Sequence, residues 1–340
     1  MISFPALPRV SLATLPTPLL PAPRLSEAVG VEVWVKRDDM TGLLLGGNKA
    51  RKLEFLCGEA QAQGADTLVT GGGGGSNHVQ LTAAAAARLG LGCVVVCYGS
   101  APAVEPLGLR LTRRTGAEVI YTGSPERASV DARLEEVAAK TADGRRPYVI
   151  PRGGASATGA VGYAMAAVEL AEQAAQVGIG DCTLLLSTGS CGTQAGLVAG
   201  VSLSCGDMPP TAAPRHRESA EGSIRLHVVG VPVSRPPEEC VERITRLATG
   251  CAKRLGSERI FTEADVNLLG GYLGPGYGKA SPEGDEAALL AARTEGLLLD
   301  PVFTAKAMAA LVAEGRAGNL AGPIVFLHTG GTPAALAALP

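Results

Sequence analysis

The sequence has no CxxC pair, and its eight cysteines are scattered along the chain. Several (Cys93, Cys97, Cys182) sit inside apolar runs. They read as reduced core thiols of a cytoplasmic protein, which excludes a disulfide framework. The four histidines lie far apart without metal-ligand spacing, so no metal site is expected. No apolar stretch reaches membrane-spanning length without a Gly, Pro or polar break, so no span is expected. Met1-Ile2-Ser3-Phe4-Pro5 has no charged region leading into an apolar run, so no signal peptide is expected. Charge of either sign is not in excess: the formal net charge is -2, with no basic face for nucleic acid. There is no Walker sequence and no internal repeat.

What is present is an ordinary soluble-enzyme composition, 46% hydrophobic and 18% charged, over 340 residues. That length favours two domains. Short β-branched runs at 31–36, 67–70, 93–97, 118–121, 148–150, 183–187, 226–231 and 324–328 alternate with helical patterns. The helical stretches include 49–63, 79–89, 108–115, 129–141, 158–177, 193–202, 237–255 and 284–296. The alternation predicts an α/β protein with open, mainly parallel twisted sheets, and the continuous apolar runs predict strands covered on both faces. Residues 205–223, rich in Pro and Arg, read as a surface loop.

Three glycine-bearing segments carry the chemistry. Gly46-Gly47-Asn48-Lys49 puts a lysine just after a flexible turn and at the start of an apolar-periodic helix. Gly71 to Gly75 leads into Ser76-Asn77-His78. A dinucleotide fingerprint is a poor fit there, because no acid follows the next strand to hold a ribose hydroxyl. A strand-to-helix turn with amides facing an anion fits better, although Ser76 would also serve as a plain N-cap. Thr188-Gly189-Ser190-Cys191-Gly192-Thr193 joins a strand to a helix, and its small residues let the backbone close round a phosphate. Cys191 reads as a filler. A phosphate loop plus one lysine able to form a Schiff base is what pyridoxal phosphate requires. Thr329 ends an apolar strand, where α/β sheets bind ligands. Gly274 to Gly278 presents Tyr277 on a constrained loop.

Together these residues resemble the D-cysteine desulfhydrase and 1-aminocyclopropane-1-carboxylate deaminase family, of the tryptophan-synthase-β-like pyridoxal-phosphate fold. The likeness spans essentially the whole chain. It is carried by Lys36-Arg37-Asp38-Asp39, Gly46-Gly47-Asn48-Lys49, Ser76-Asn77-His78, Gly189 to Gly196, Gly276-Tyr277-Gly278, Leu299-Asp300-Pro301-Val302 and His328-Thr329-Gly330-Gly331. The resemblance implies that Lys49 joins the cofactor and that Asn77 bonds its ring hydroxyl. Gly189, Ser190, Cys191, Gly192 and Thr193 would hold the phosphate, with Thr304 and Thr329 near the ring nitrogen. Ser76, Asn77, His78, Tyr277 and Phe303 would meet a small amino-acid substrate, with Lys49, Ser76 and Tyr277 catalytic. It also implies a small domain, 52–158, inserted into a large one made of 1–51 and 159–340, and a homodimer.

The chain departs from the family at Gly75 (usually Gln), Gln80 (usually Arg), Phe303 (usually Tyr) and, against the deaminase branch, Thr304 (Glu there). The expected function is an α,β-eliminating lyase of the D-cysteine desulfhydrase kind. Alternatives are the cyclopropane deaminase, a diverged lyase or synthase for a specialised amino acid such as cysteate or another S-substituted alanine, and a non-catalytic binding protein on the same fold.

Overall fold

The computed structural model describes residues 5–204, 224–320 and 322–339; the loop read at 205–223 lies outside them. The strands are β1 (Leu19–Pro21), β2 (Val33–Lys36), β3 (Thr67–Gly72), β4 (Gly92–Cys97), β5 (Glu118–Tyr121), β6 (Pro147–Ile150), β7 (Cys182–Thr188), β8 (Leu226–Pro232), β9 (Asn267–Leu268) and β10 (Ile324–Leu327). The helices are α1 (Pro23–Val29), α2 (Lys49–Ala62), α3 (Asn77–Leu89), α4 (Leu107–Arg114), α5 (Ala128–Thr141), α6 (Ala157–Gln176), α7 (Gly192–Ser204), α8 (Pro237–Arg254), α9 (Pro282–Glu295), α10 (Thr304–Arg316) and α11 (Thr332–Ala337).

They build two sheets, of order β1-β2-β10-β7-β8-β9 and β5-β4-β3-β6. Every pairing is parallel except β1 with β2. Parallel strands need crossovers, and helices supply them on both faces, so the central strands are apolar throughout. Leu184, Leu185 and Leu186 of β7 are all fully buried, in register with Val228, Val229 and Gly230 of β8. The expected α/β architecture of mainly parallel sheets is the one observed.

The larger sheet is sandwiched between two apolar clusters. One packs α6, α7 and α8 against Leu184, Leu186 and Val325; the other packs α1, α9 and α10 against Leu185, Phe326 and Val35. Alternation along β7 decides which cluster each leucine joins. Helix α8 buries Cys240, Ile244, Leu247, Ala248 and Cys251 at helical spacing, so one stripe faces the core. Ser156 and Ser281 cap α6 and α9 by accepting from the backbone N–H three residues on. The carboxyl ends of β3, β7 and β10 open on one cleft, the usual ligand position in such sheets.

Candidate active site

A cleft lies between the two sheets. Lys49, the first residue of α2, lines it. The turn before it needs glycine: Gly46 has φ +72°, and a Cβ there would lie 1.8 Å from the Asp39 carbonyl oxygen. The Thr41 hydroxyl then locks Gly47, accepting from its N–H at 2.8 Å and donating to its carbonyl at 2.9 Å. The Asn48 N–H donates to the Thr329 carbonyl at 2.9 Å, and its amide Nδ2 donates to Thr193 Oγ1 at 3.1 Å. Lys49 is thereby fixed to the end of β10 and to the glycine loop after β7.

Part of Lys49 reaches the open volume of the cleft, but protein atoms surround its amine, and burial lowers its pKa to about 8. Three residues on, Lys52 is completely buried, and its Nζ has no hydrogen-bond partner. Burial, reinforced by the charge of Lys49, holds its pKa well below the ordinary lysine value. It sits against the glycine loop: a Cβ on Gly192 would come within 3.1 Å of Nζ.

The loop spans Gly189 to Cys191 between β7 and α7. Cys191 takes φ +71°, unusual for a residue with a side chain. The first amides of α7 have no partners within the helix and carry the positive end of its dipole. A turn of helix-start amides beside an orphaned buried amine is a site for a phosphate dianion.

Ser76 stands at the N-cap position of α3 but makes no capping bond. The plain N-cap reading therefore gives way to a hydroxyl on the cleft wall, next to Asn77. His78 is buried against β3, with Nε2 2.8 Å from Thr70 Oγ1. The Thr70 hydroxyl donates its one hydrogen to the Ile150 carbonyl, so His78 Nε2 is the donor to Thr70. Nδ1 then carries a lone pair and has no partner. Burial, with the charges of Lys49 and Lys52, depresses the His78 pKa strongly, so the ring is neutral.

Tyr277 meets Phe303 edge-on, with centroids 6.0 Å apart, and the Lys306 ammonium fixes its loop by donating to the carbonyls of Leu273 and Gly276 at 2.7 and 2.9 Å. Thr329 lines the cleft, 3.4 Å from Ser187 by their hydroxyls.

The structure thus gathers Lys49, Ser76, Asn77, His78, Tyr277, Phe303 and Thr329 with the glycine loop on one cleft. It does not bring Thr304 there. The Thr304 hydroxyl donates to Asp300 Oδ2 at 2.7 Å and accepts from the Asp300 N–H at 2.7 Å, completely buried. The expectation that Thr304 approaches the ring nitrogen is corrected on that geometry. Asp300 also accepts from the amides of Val302, Phe303 and Thr304, so its position is that of a helix-start anchor.

Sequence reasoning passed over Ser187, Lys52, Arg127, Arg152 and Arg235, all on or behind this wall. Lys52 was detectable as a second lysine on the Lys49 face of an apolar helix. Arg152 and Arg235 follow strand ends, which also marks them. Arg127 gives no sequence signal.

A covalent-capable amine with depressed pKa, a phosphate turn and flanking hydroxyls define an enzyme site built round a phosphorylated carbonyl cofactor. The chain belongs to the pyridoxal-phosphate dependent enzyme family, which matches residues 10–330. It is 41% identical to a D-cysteine desulfhydrase of Salmonella choleraesuis (strain SC-B67), over 97% of this chain and 96% of the relative. A crystal structure of an ACC deaminase homologue superposes with TM-score 0.84 at 35% identity, covering 96% of this chain and 93% of that one. A hydrogen sulfide-producing enzyme of Fusobacterium nucleatum shares the fold, with TM-score 0.65 at 14% identity over 96% of this chain and 98% of its own. The residues present fit the cofactor, since the loop amides and Lys52 supply what a phosphate needs and Lys49 supplies the amine.

Proposed function

We propose that this enzyme is an α,β-eliminating lyase for a small amino acid, of the D-cysteine desulfhydrase kind, converting D-cysteine and water to pyruvate, ammonia and sulfide. The observation that carries the reading is Lys49: a buried amine at the cleft with no carboxylate partner and a pKa lowered to about 8, suited to take a proton near neutral pH. Pyridoxal phosphate, when bound, supplies an aldehyde for the substrate amine and a ring that withdraws electrons from its α-carbon.

The chain's own residues do the rest. The 189–193 amides and Lys52 would hold the phosphate, and Asn77 would bond the ring hydroxyl. Lys49 takes the proton from the α-carbon. Ser76 donates to the substrate carboxylate. Tyr277 positions the β-substituent, with Phe303 packed on its edge. Ser187 and Thr329 offer only hydroxyls on the same wall, and a hydroxyl cannot hold a proton on a ring nitrogen as a carboxylate would. That favours prompt loss of a β-leaving group over reactions that need a long-lived carbanion. Cyclopropane ring opening ranks lower, because that substrate has no α-proton and Phe303 lacks the phenol usual in the family.

The same reading makes 52–158 a small inserted domain, supported by a four-stranded sheet whose strands all fall within it. It makes the protein a cytoplasmic homodimer; the seven buried free thiols among the described residues support the reducing compartment. The visible spectrum of the purified holoenzyme, before and after D-cysteine, tests the activity. A spectral shift with pyruvate release supports it, whereas a spectrum indifferent to D-cysteine with no pyruvate rejects that substrate.

A further inference from the structure

The cleft is oversupplied with positive charge. Its described walls carry Lys49, Arg127, Arg152 and Arg235 and no carboxylate. The three arginines come from three places: just before α5, just after β6 and just after β8. Arg127 stands over the Tyr277 ring, its guanidinium carbon 3.9 Å from the ring centroid, and donates to the Ser234 carbonyl at 3.3 Å. Arg235 donates from one Nη to the Gly189 carbonyl at 2.7 Å and to Ser234 Oγ at 3.2 Å. The nearest acid to it, Glu239, stands 3.7 Å away and is mostly exposed. Arg152 is held by Asp131 through Nε and one Nη.

These cations act on one spot. Burial raises the Tyr277 pKa, and Arg127, Arg235 and Arg152 each pull it back. Burial also lowers the Arg235 pKa, helped by Arg243, Arg127 and Arg152. Arg152 already has Asp131, but among the described residues Arg127 has no acid partner and Arg235 has only the mostly exposed Glu239, so the charge on this wall calls for an anion. A cofactor phosphate already has the loop amides and Lys52, and a substrate carboxylate already has Ser76. Neither accounts for three arginines on the cleft wall that carries Tyr277.

We propose that Arg127, Arg152 and Arg235 form a second anion subsite round Tyr277 that receives an oxyanion group on the substrate β-carbon, a sulfonate or a phosphate ester. The inference rests on the eliminating-lyase reading and narrows its substrate to β-oxyanion-substituted alanines. Guanidinium forks match such groups, and their charge stabilises the leaving group as electrons move onto it. For the sulfonate, Lys49 takes the α-proton while the C–H electrons form the α,β double bond. The Cβ–S bond breaks and its pair leaves with sulfite. One water then hydrolyses the released enamine to pyruvate and ammonium. For the phosphate ester the Cβ–O bond breaks and inorganic phosphate leaves. Neither route needs an oxidant or reductant.

The test compares holoenzyme turnover of cysteine, cysteate and O-phosphoserine, both enantiomers of each, by pyruvate release. A β-oxyanion substrate should exceed cysteine in kcat/KM by about tenfold or more. Sulfite or phosphate should appear with pyruvate one for one, and which of them appears names the oxyanion. Arg127→Gln and Arg152→Gln should each lower that kcat/KM by about tenfold more than they lower it for cysteine. If cysteine is the best substrate and the oxyanion amino acids neither react nor inhibit, the subsite is rejected. Equal loss on every substrate, with the cofactor shed on dialysis, assigns the arginines to the cofactor phosphate and also rejects it. If nothing releases pyruvate, the lyase reading fails. The subsite then stands or falls on whether sulfoacetate shifts the cofactor spectrum of the wild type and not of Arg127→Gln.

Discussion

The first turn of α2 sends two cations into the interior under opposite conditions. Arg51 is buried and fully matched. Its Nε and Nη2 donate to Asp38 at 2.9 Å, Nη1 and Nη2 donate to Glu169 at 2.9 and 2.8 Å, and Nη2 also reaches Thr17. Tyr163 and Thr17 complete Asp38, and Lys36 joins Glu169. Burial opposes the Arg51 charge, but Asp38 and Glu169 more than offset it and hold its pKa above the ordinary value. Lys52, the next residue, is as deeply buried and its amine has no hydrogen-bond partner. Partnership, rather than burial or charge, separates a structural cation from one that awaits a ligand. The compensated network ties α2 to β2 and α6, while Lys49 lines the cleft and Lys52 sits behind its glycine loop.

The comparison breaks most visibly at Lys49. Lys49→Ala should lower pyruvate release by about a thousandfold or more and abolish the lysine-linked cofactor absorbance, because no other amine among the described residues lines the cleft. A variant with wild-type turnover would remove Lys49 from the mechanism. Next in size is the matched network. Asp38→Asn leaves Arg51 short of a charge in the interior and should cost about 3–5 kcal/mol of stability, with or without cofactor, read by denaturant unfolding. Lys52→Gln is the contrast. It should leave the apoprotein as stable as wild type or more so, since an unpartnered buried amine is removed, and weaken pyridoxal phosphate binding about ten- to a hundredfold. If Lys52→Gln unfolds the apoprotein as Asp38→Asn does, the distinction between the two cations collapses.

Much of this was legible in the sequence, and the rest was hidden for physical reasons. Continuous apolar runs marked the buried parallel strands, and Gly46-Gly47 before an apolar-periodic segment marked the start of α2 and Lys49. Strands β1 and β9, three and two residues long, are too short to show a period. Arg51 and Lys52 look alike in sequence, because the partner that distinguishes them, Glu169, lies 118 residues from Arg51. Thr304 was misplaced for a local reason. Asp300 four residues earlier captures its hydroxyl and the amides around it, a competition that Asp and Thr side chains commonly enter. The Arg127, Arg152 and Arg235 cluster arises from three separate chain segments and exists only in the fold.

The smallest effect is a change of pH dependence at Lys49. A lysine amine attacks the pyridoxal phosphate aldehyde only when neutral. Burial lowers the folded-state pKa to about 8 from the ordinary lysine value of 10.5. The folded apoprotein therefore sheds this proton as pH rises through about 8, whereas an unfolded chain keeps it until near 10.5. The rate of cofactor capture should climb about tenfold per pH unit below 8 and level off above it. Stopped-flow absorbance of apoprotein mixed with pyridoxal phosphate across that range measures it. A rate still climbing to pH 10 would mean that Lys49 titrates like a solvated lysine, and the contrast with Arg51 would then rest on Lys52 alone.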